Sequence, residues 1–191
     1  PNHPFPFVDL CAVSSLLEQV RGQQVRGPQV RAPRVRAVVD DTSDALVELH
    51  PLLLFVGRDA EGRARFWDQA LEHLGAGGAV VIFPAGRSVY RDRRGRSVEP
   101  AWHRGAIALA ERSGSPLVPA HVQARTGRVY NLLRRHVDRQ AVKALNLNQV
   151  HRRNTRVRVR FGSPLDPRGL TPDRLRDAVY ALDPDARFTA G

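Results

Sequence analysis

A chain of 191 residues with 42% hydrophobic content is long enough to bury a core, and reads as a single globular domain over 1–191. Its formal net charge of +11 is carried almost entirely by arginine, Lys143 being the one lysine. That balance suits phosphorylated substrates, an anionic membrane surface or nucleic acid. Cys11 stands alone, which excludes an internal disulfide and a cysteine metal cluster and suits a reducing compartment. No apolar run approaches the roughly 18 residues of a membrane span, and no signal peptide is visible.

The chain opens abruptly at Pro1-Asn2-His3-Pro4 and contains no Met, so its amino terminus is expected to be truncated. From Phe7 to Val20 apolar residues recur at three- and four-residue spacing, which predicts a helix. His3 lies six residues before Asp9, so on one helix the two would stand about 120° apart. They meet only if His3 sits in the turn before that helix. A histidine held by a carboxylate is a competent general base, its unperturbed pKa being about 6.5. A frayed terminal histidine and an ordinary helix-start Asp would give the same letters.

Residues 20 to 36 repeat Val-Arg every five residues, at Val20, Val25, Val30 and Val35. A five-residue period turns about 140° per copy on a helix and inverts faces on a strand, so neither brings the valines together. With Gly22, Gly27, Pro28 and Pro33 interspersed, residues 20–36 read as a flexible basic loop. Arg36 to Asp40 is a predicted strand, and Asp41 or Ser43 caps a short helix up to His50. Leu52 to Val56 is a buried strand ending in Gly57-Arg58, and Arg63 to Leu74 a helix closed by Gly75 to Gly78.

The chemistry gathers between Gly77 and Val122. Ala79 to Phe83 is an unbroken apolar run, as in a strand buried on both faces, and Pro84 and Gly86 turn the chain out of it. A polar loop with five arginines follows from Arg87 to Pro100, then a helix from about Ala101 to Arg112 and a second buried strand, Leu117 to Val122. This is a βαβ pattern with cationic groups at the carboxyl end of a strand, where open α/β sheets bind ligands. Beyond it, Val129 to Leu133 and Arg139 to Val150 carry weak helical patterns. Arg156 to Phe161 alternates as an edge strand with its arginines outward, and Thr171-Pro172 opens a last helix to about Leu182. The alternation of elements predicts an α/β fold: a mostly parallel sheet flanked by helices on both faces.

Four ordered blocks resemble those of the glycerolipid/lysophospholipid acyltransferase superfamily, especially its hemolysin-like branch, which includes ornithine-lipid acyltransferases. His3 to Asp9 resembles the first block, His-x4-Asp, with the spacing one residue longer as in that branch. Leu54-Phe55-Val56-Gly57-Arg58 resembles the second, an apolar strand ending in Arg. Phe83-Pro84-Ala85-Gly86-Arg87-Ser88 resembles the third, Phe-Pro-Glu-Gly-Thr-Arg-Ser, and Leu117-Val118-Pro119-Ala120 the fourth; Arg104-Gly105 fits the usual Lys/Arg-Gly. Ala85 replaces the glutamate, as the hemolysin-like branch commonly does, and one residue is missing before Arg87. The Val-Arg repeat is an insertion foreign to the family pattern. The resemblance covers most of residues 2 to 165 and implies a further strand ahead of Asn2.

The resemblance implies transfer of a fatty acyl group from a thioester, on acyl carrier protein or coenzyme A, to a hydroxyl of a lysolipid-like acceptor, as in phospholipid biosynthesis. His3 would take the hydroxyl proton and Asp9 would orient it. Arg58 and Arg87 would hold an anionic headgroup or the donor's phosphates, within a substrate site formed with Phe83, Pro84, Gly86 and Ser88. No resident cofactor or metal is implied: the thioester is a co-substrate, and His50, His73, His103, His121, His136 and His151 lack paired ligand spacing. The expected location is cytoplasmic, peripheral to the inner face of an anionic membrane. Two other classes fit the composition less well. A catalytically inactive lipid-binding relative is favoured by Ala85. A nucleic-acid-binding protein is suggested by the charge, but aromatics make up only 6% and do not interleave with the arginines.

Overall fold

The computed structural model describes residues 13, 16, 35–40, 51–86, 90–91, 97–98, 100–124 and 157–183. Within them the fold is α/β. Its centre is a three-stranded parallel sheet of β1 (Val35–Asp40), β2 (Leu53–Val56) and β3 (Ala79–Val81), in the order β2-β1-β3. Alternation sorts the sheet's side chains into two faces. The odd-numbered set, Val35, Ala37, Leu53, Val81 and Phe83, forms one core cluster with Val13 and Val122, and Val157 and Val159 pack against it. The even-numbered set, Leu54 with Val38, Val56, Val80 and Ile82, meets Phe66, Ala70 and Leu109.

Phe66 and Ala70 belong to α1 (Ala60–Gly75), which carries the chain from β2 to β3 across the even face. Its start is fixed by Asp59, whose Oδ1 accepts the Gly62 N–H at 2.6 Å. Its end is closed at Gly77, in the left-handed region at φ 79°, where Gly78 N–H returns to the His73 carbonyl at 2.9 Å. α2 (Gly105–Ser113) contributes Leu109 to the same face and stops at Gly114, φ 66°. Arg112 of α2 lies over the Trp67 ring of α1 at 4.6 Å, joining the two helices at the surface.

Past the sheet, β6 (Ala120–Ala124) and β7 (Val157–Phe161) pair antiparallel, Val122 opposite Val159. α3 (Pro172–Tyr180) begins where the sequence placed it: the Thr171 hydroxyl accepts the Arg174 N–H at 3.2 Å and Pro172 occupies the first turn. Leu175 and Val179 of α3 form a third cluster with Ala85, Trp102 and Ile107.

Several expectations are corrected. Among the described residues the parallel sheet is small, three strands, and the other two strand pairs are separate antiparallel two-stranded sheets. Among the described residues β6 pairs with β7, not with β3, so Ala79–Val122 is not one parallel βαβ unit; the strand expected over Leu117 to Val122 runs instead from Ala120 to Ala124, and Val118 ahead of it is exposed. The arginine-rich segment after Gly86 contains a short antiparallel pair, β4 (Tyr90–Arg91) with β5 (Ser97–Val98). The helix expected from about Ala101 begins at Gly105, and ahead of it His103 N–H donates to the Pro84 carbonyl at 3.0 Å. The basic loop does not extend to 36: Val35, 2% exposed, and Arg36 lie in β1, where pairing on both sides outweighs the five-residue period. The remainder of that repeat, and the helices expected at 41–50 and 129–150, lie outside the described residues. Val13 and Leu16, within the expected first helix, have helical backbone.

Candidate functional site

In a parallel sheet every strand points its carboxyl end the same way, and the order β2-β1-β3 places the reversal of winding at β1 and β3. Ala37 of β1 is in register with both Leu53 of β2 and Val81 of β3. Arg58 and the turn from Phe83 to Gly86 therefore leave the sheet at one edge, on either side of β1. Ligands of open α/β sheets bind at such an edge because loops there diverge and leave a crevice.

On the β2 side, the chain enters α1 without clearance. A Cβ at Gly57 would lie 2.5 Å from the Gly62 Cα, and one at Gly62 would lie 2.8 Å from Asp59 Oδ1. Two glycines five apart let the first helical turn sit directly on the strand end. The result is a pocket of about 340 Å³ lined by Phe55, Gly57, Arg58, Asp59, Gly62, Arg65 and Gln69. Arg58 is exposed at its mouth, and its carbonyl accepts a hydrogen bond from the Arg63 guanidinium. Arg65 and Gln69 line the pocket from α1, four residues apart, and Arg65 Nη1 lies 2.5 Å from Oε1 of Glu61, one turn before and outside the lining.

On the β3 side, Phe83, Pro84 and Ala85 are buried and Gly86 is exposed. Gly86 N–H closes the turn on the Phe83 carbonyl at 2.9 Å, with φ 59°, a conformation that favours glycine. Phe83 belongs to the sheet core and Ala85 to the cluster of Trp102, Ile107, Leu175 and Val179. Position 85 is thus a packing position, which is a physical reason for a small apolar residue there. His103, exposed, is brought to this turn by its backbone bond to Pro84.

Of the residues expected to form the site, Arg58, Phe83, Pro84 and Gly86 are gathered at this edge. His3, Asp9, Arg87 and Ser88 lie outside the described residues. Sequence inspection passed over Arg65 and Gln69, whose signal was their four-residue spacing from Glu61 directly after Gly57-Arg58. It also passed over a polar group inside the β6–β7 region. His121 is 1% exposed with Nε2 3.6 Å from Asp183 Oδ2, and Arg160 Nη1 is 3.5 Å from Asp183 Oδ1. That group ties β6 and β7 to the end of α3 and lies under the Tyr180 ring, 6.2 Å between centroids.

Among the described residues no cluster of three or more His, Cys, Asp or Glu could hold a metal ion, and no helix is long and apolar enough to cross a membrane. No family model, curated protein or solved structure matches the chain.

Proposed function

We propose that this chain is an O-acyltransferase, transferring a fatty acyl group from a thioester of acyl carrier protein or coenzyme A to a hydroxyl of a lysolipid-like acceptor at the cytoplasmic face of an anionic membrane. The observation that carries the proposal is the convergence of Gly57-Arg58 and Phe83–Gly86 at one carboxyl edge of a parallel sheet, flanking β1. The second block of the family pattern is described in full and the third as far as Gly86, and a shared site requires these two to be neighbours; the fourth, Leu117 to Ala120, is described as well and runs into β6, paired with β7. In the proposed reaction the acceptor oxygen attacks the thioester carbonyl, His3 takes its proton, and the departing thiolate is protonated as the ester forms. Asp9 orients the imidazole and stabilises its cation. Arg58 and Arg87 hold anionic groups of acceptor or donor by forked hydrogen bonds.

Turnover of the purified full chain with acyl-carrier-protein and acyl-coenzyme-A donors and a set of lysolipid acceptors, followed by mass spectrometry, tests this. His3→Ala is expected to abolish transfer, and Asp9→Asn to slow it by about 10²–10⁴-fold. Wild-type turnover in His3→Ala would remove the mechanism. The second reading, lipid binding without transfer, is favoured by the apolar packing of Ala85 where a carboxylate contact would otherwise be. Tight lysolipid binding with no turnover on any donor would select it.

A further inference from the structure

We infer that His121, Asp183 and Arg160 form a pH-sensitive latch, which holds the end of α3 on the β6–β7 pair near neutral pH and lets it go when His121 takes a proton. The latch stands apart from the acyl-transfer reading, because none of its residues lies in the candidate site. It reaches that site through packing. Leu175 and Val179 of α3 pack with Ala85 and Trp102, behind the turn that Gly86 closes. Freeing α3 therefore loosens one wall of that turn.

Asp183 moves with α3. Ala181 N–H donates to the Asp177 carbonyl at 2.9 Å and Asp183 N–H to the Tyr180 carbonyl at 2.9 Å, so the last helical turn runs on into the carboxylate. Its two oxygens reach different strands. Oδ2 lies 3.6 Å from His121 Nε2 on β6, and Oδ1 lies 3.5 Å from Arg160 Nη1 on β7. His121 and Arg160 are register partners, so both belong to the ribbon face opposite Val122, which enters the sheet core. Three further groups with charge or a titrating proton surround them. The Tyr180 ring lies 6.2 Å from His121 between centroids; phenols titrate near about pH 10, outside the window of an imidazole. Arg158, two positions along β7, is exposed opposite Gln123. Arg176, one helical turn before Tyr180, is engaged on its own helix by Asp173 at 3.2 Å and Asp177 at 4.0 Å.

The sign follows from charge and burial. The His121 side chain is 1% exposed and that of Asp183 8%, so water screens the cluster little. With His121 neutral, one carboxylate stands against the Arg160 guanidinium. A proton on His121 sets a second cation on that same carboxylate, beside Arg160, where water does not reach. Burial and the like charge both oppose the proton, and only a carboxylate already shared favours it. A histidine disfavoured in this way contributes stability that is complete above the free imidazole value of about 6.5. That stability is lost as the pH falls from there toward the folded value.

The test is amide hydrogen exchange of the full chain, read by mass spectrometry at pH 7.5 and 5.5 and corrected for intrinsic rates, with α1 peptides as the internal control. Opening of α3 peptides is expected to rise severalfold at the lower pH, at most about tenfold one unit below the free imidazole value, with α1 unchanged. His121→Gln is expected to remove that difference. Arg160→Gln is expected to shrink it, because Asp183 is then left to the imidazolium alone. NMR titration of the wild-type imidazoles, with His121 assigned by its absence from the variant, is expected to place it below about 6.5. Should His121→Gln fail to fold, the wild-type comparison between the two pH values decides by itself. Equal opening of α3 at both, tighter protection at pH 5.5, a loss shared equally by α1, or an undiminished difference in His121→Gln would overturn the latch.

Discussion

Ala85 shows how one residue can be read for function and turn out to be held by packing. Its side chain is 4% exposed, among Trp102, Ile107, Leu175 and Val179. Glutamate at this position would need room that the cluster does not have, and would place a carboxylate among apolar groups. Ala85→Glu is accordingly expected to destabilise the fold by about 3 kcal/mol or more, and to leave any acyl transfer no faster. Chemical denaturation measures the first and turnover the second. A stable and more active variant would mean that position 85 opens toward the substrate. His121 carries the opposite lesson. Its letters gave no sign of a role, yet burial beside Asp183 makes it a tie between β6 and the segment following α3.

At the scale of elements, the β2–α1 junction is the most constrained part of the candidate site. Gly57 and Gly62 touch backbone to backbone, so neither has a flexible neighbour that can yield. Gly57→Ala is expected to cost roughly 1–3 kcal/mol and to shift the first turn of α1 away from the strand end, changing the pocket that Arg58 and Arg65 line. Thermal unfolding and ligand titration of that variant check both parts. The central elements were legible because their signals are local: apolar runs for β2 and β3, three- and four-residue spacing for α1, and Thr171-Pro172 for α3. What was not legible depended on partners distant in sequence. Leu117 to Val122 reads the same whether its strand joins β3 or β7. The hydrogen bond from His103 N–H to the Pro84 carbonyl likewise joins two segments that nothing in their letters pairs. Of the candidate site, the two arms at the sheet edge were readable as motifs. Arg65 was not, because an exposed Arg on a helix has the same letters whether it faces solvent or lines a pocket.

For the molecule as a whole, the excess of arginine favours anionic surfaces, and each arginine near such a surface contributes about 1 kcal/mol. Binding to anionic vesicles is expected to exceed binding to neutral ones and to fall as salt rises. Deleting residues 25–34, which keeps all of β1, is expected to change folding stability by less than about 1 kcal/mol, because closure entropy varies slowly with loop length. The same deletion should reduce vesicle binding at low salt. Flotation assays and thermal melts read the two effects. A large loss of stability would show that those residues are part of the packed structure.

The entry of the repeat into β1 has a consequence for how the chain finds its register. The units Val30-Arg31-Ala32 and Val35-Arg36-Ala37 are identical, so the sheet could accept either three-residue segment between β2 and β3. The fourth position decides between them. It is Val38 in the native strand, paired with Leu54, but Pro33 in the unit before it and Pro28 in the one before that. A proline there has no N–H to give to a strand bonded on both sides, and its ring opposes the pleat. The sequence that looks like a monotonous expansion thus carries its own punctuation: the two copies immediately upstream of the native one end in a residue that a central strand rejects.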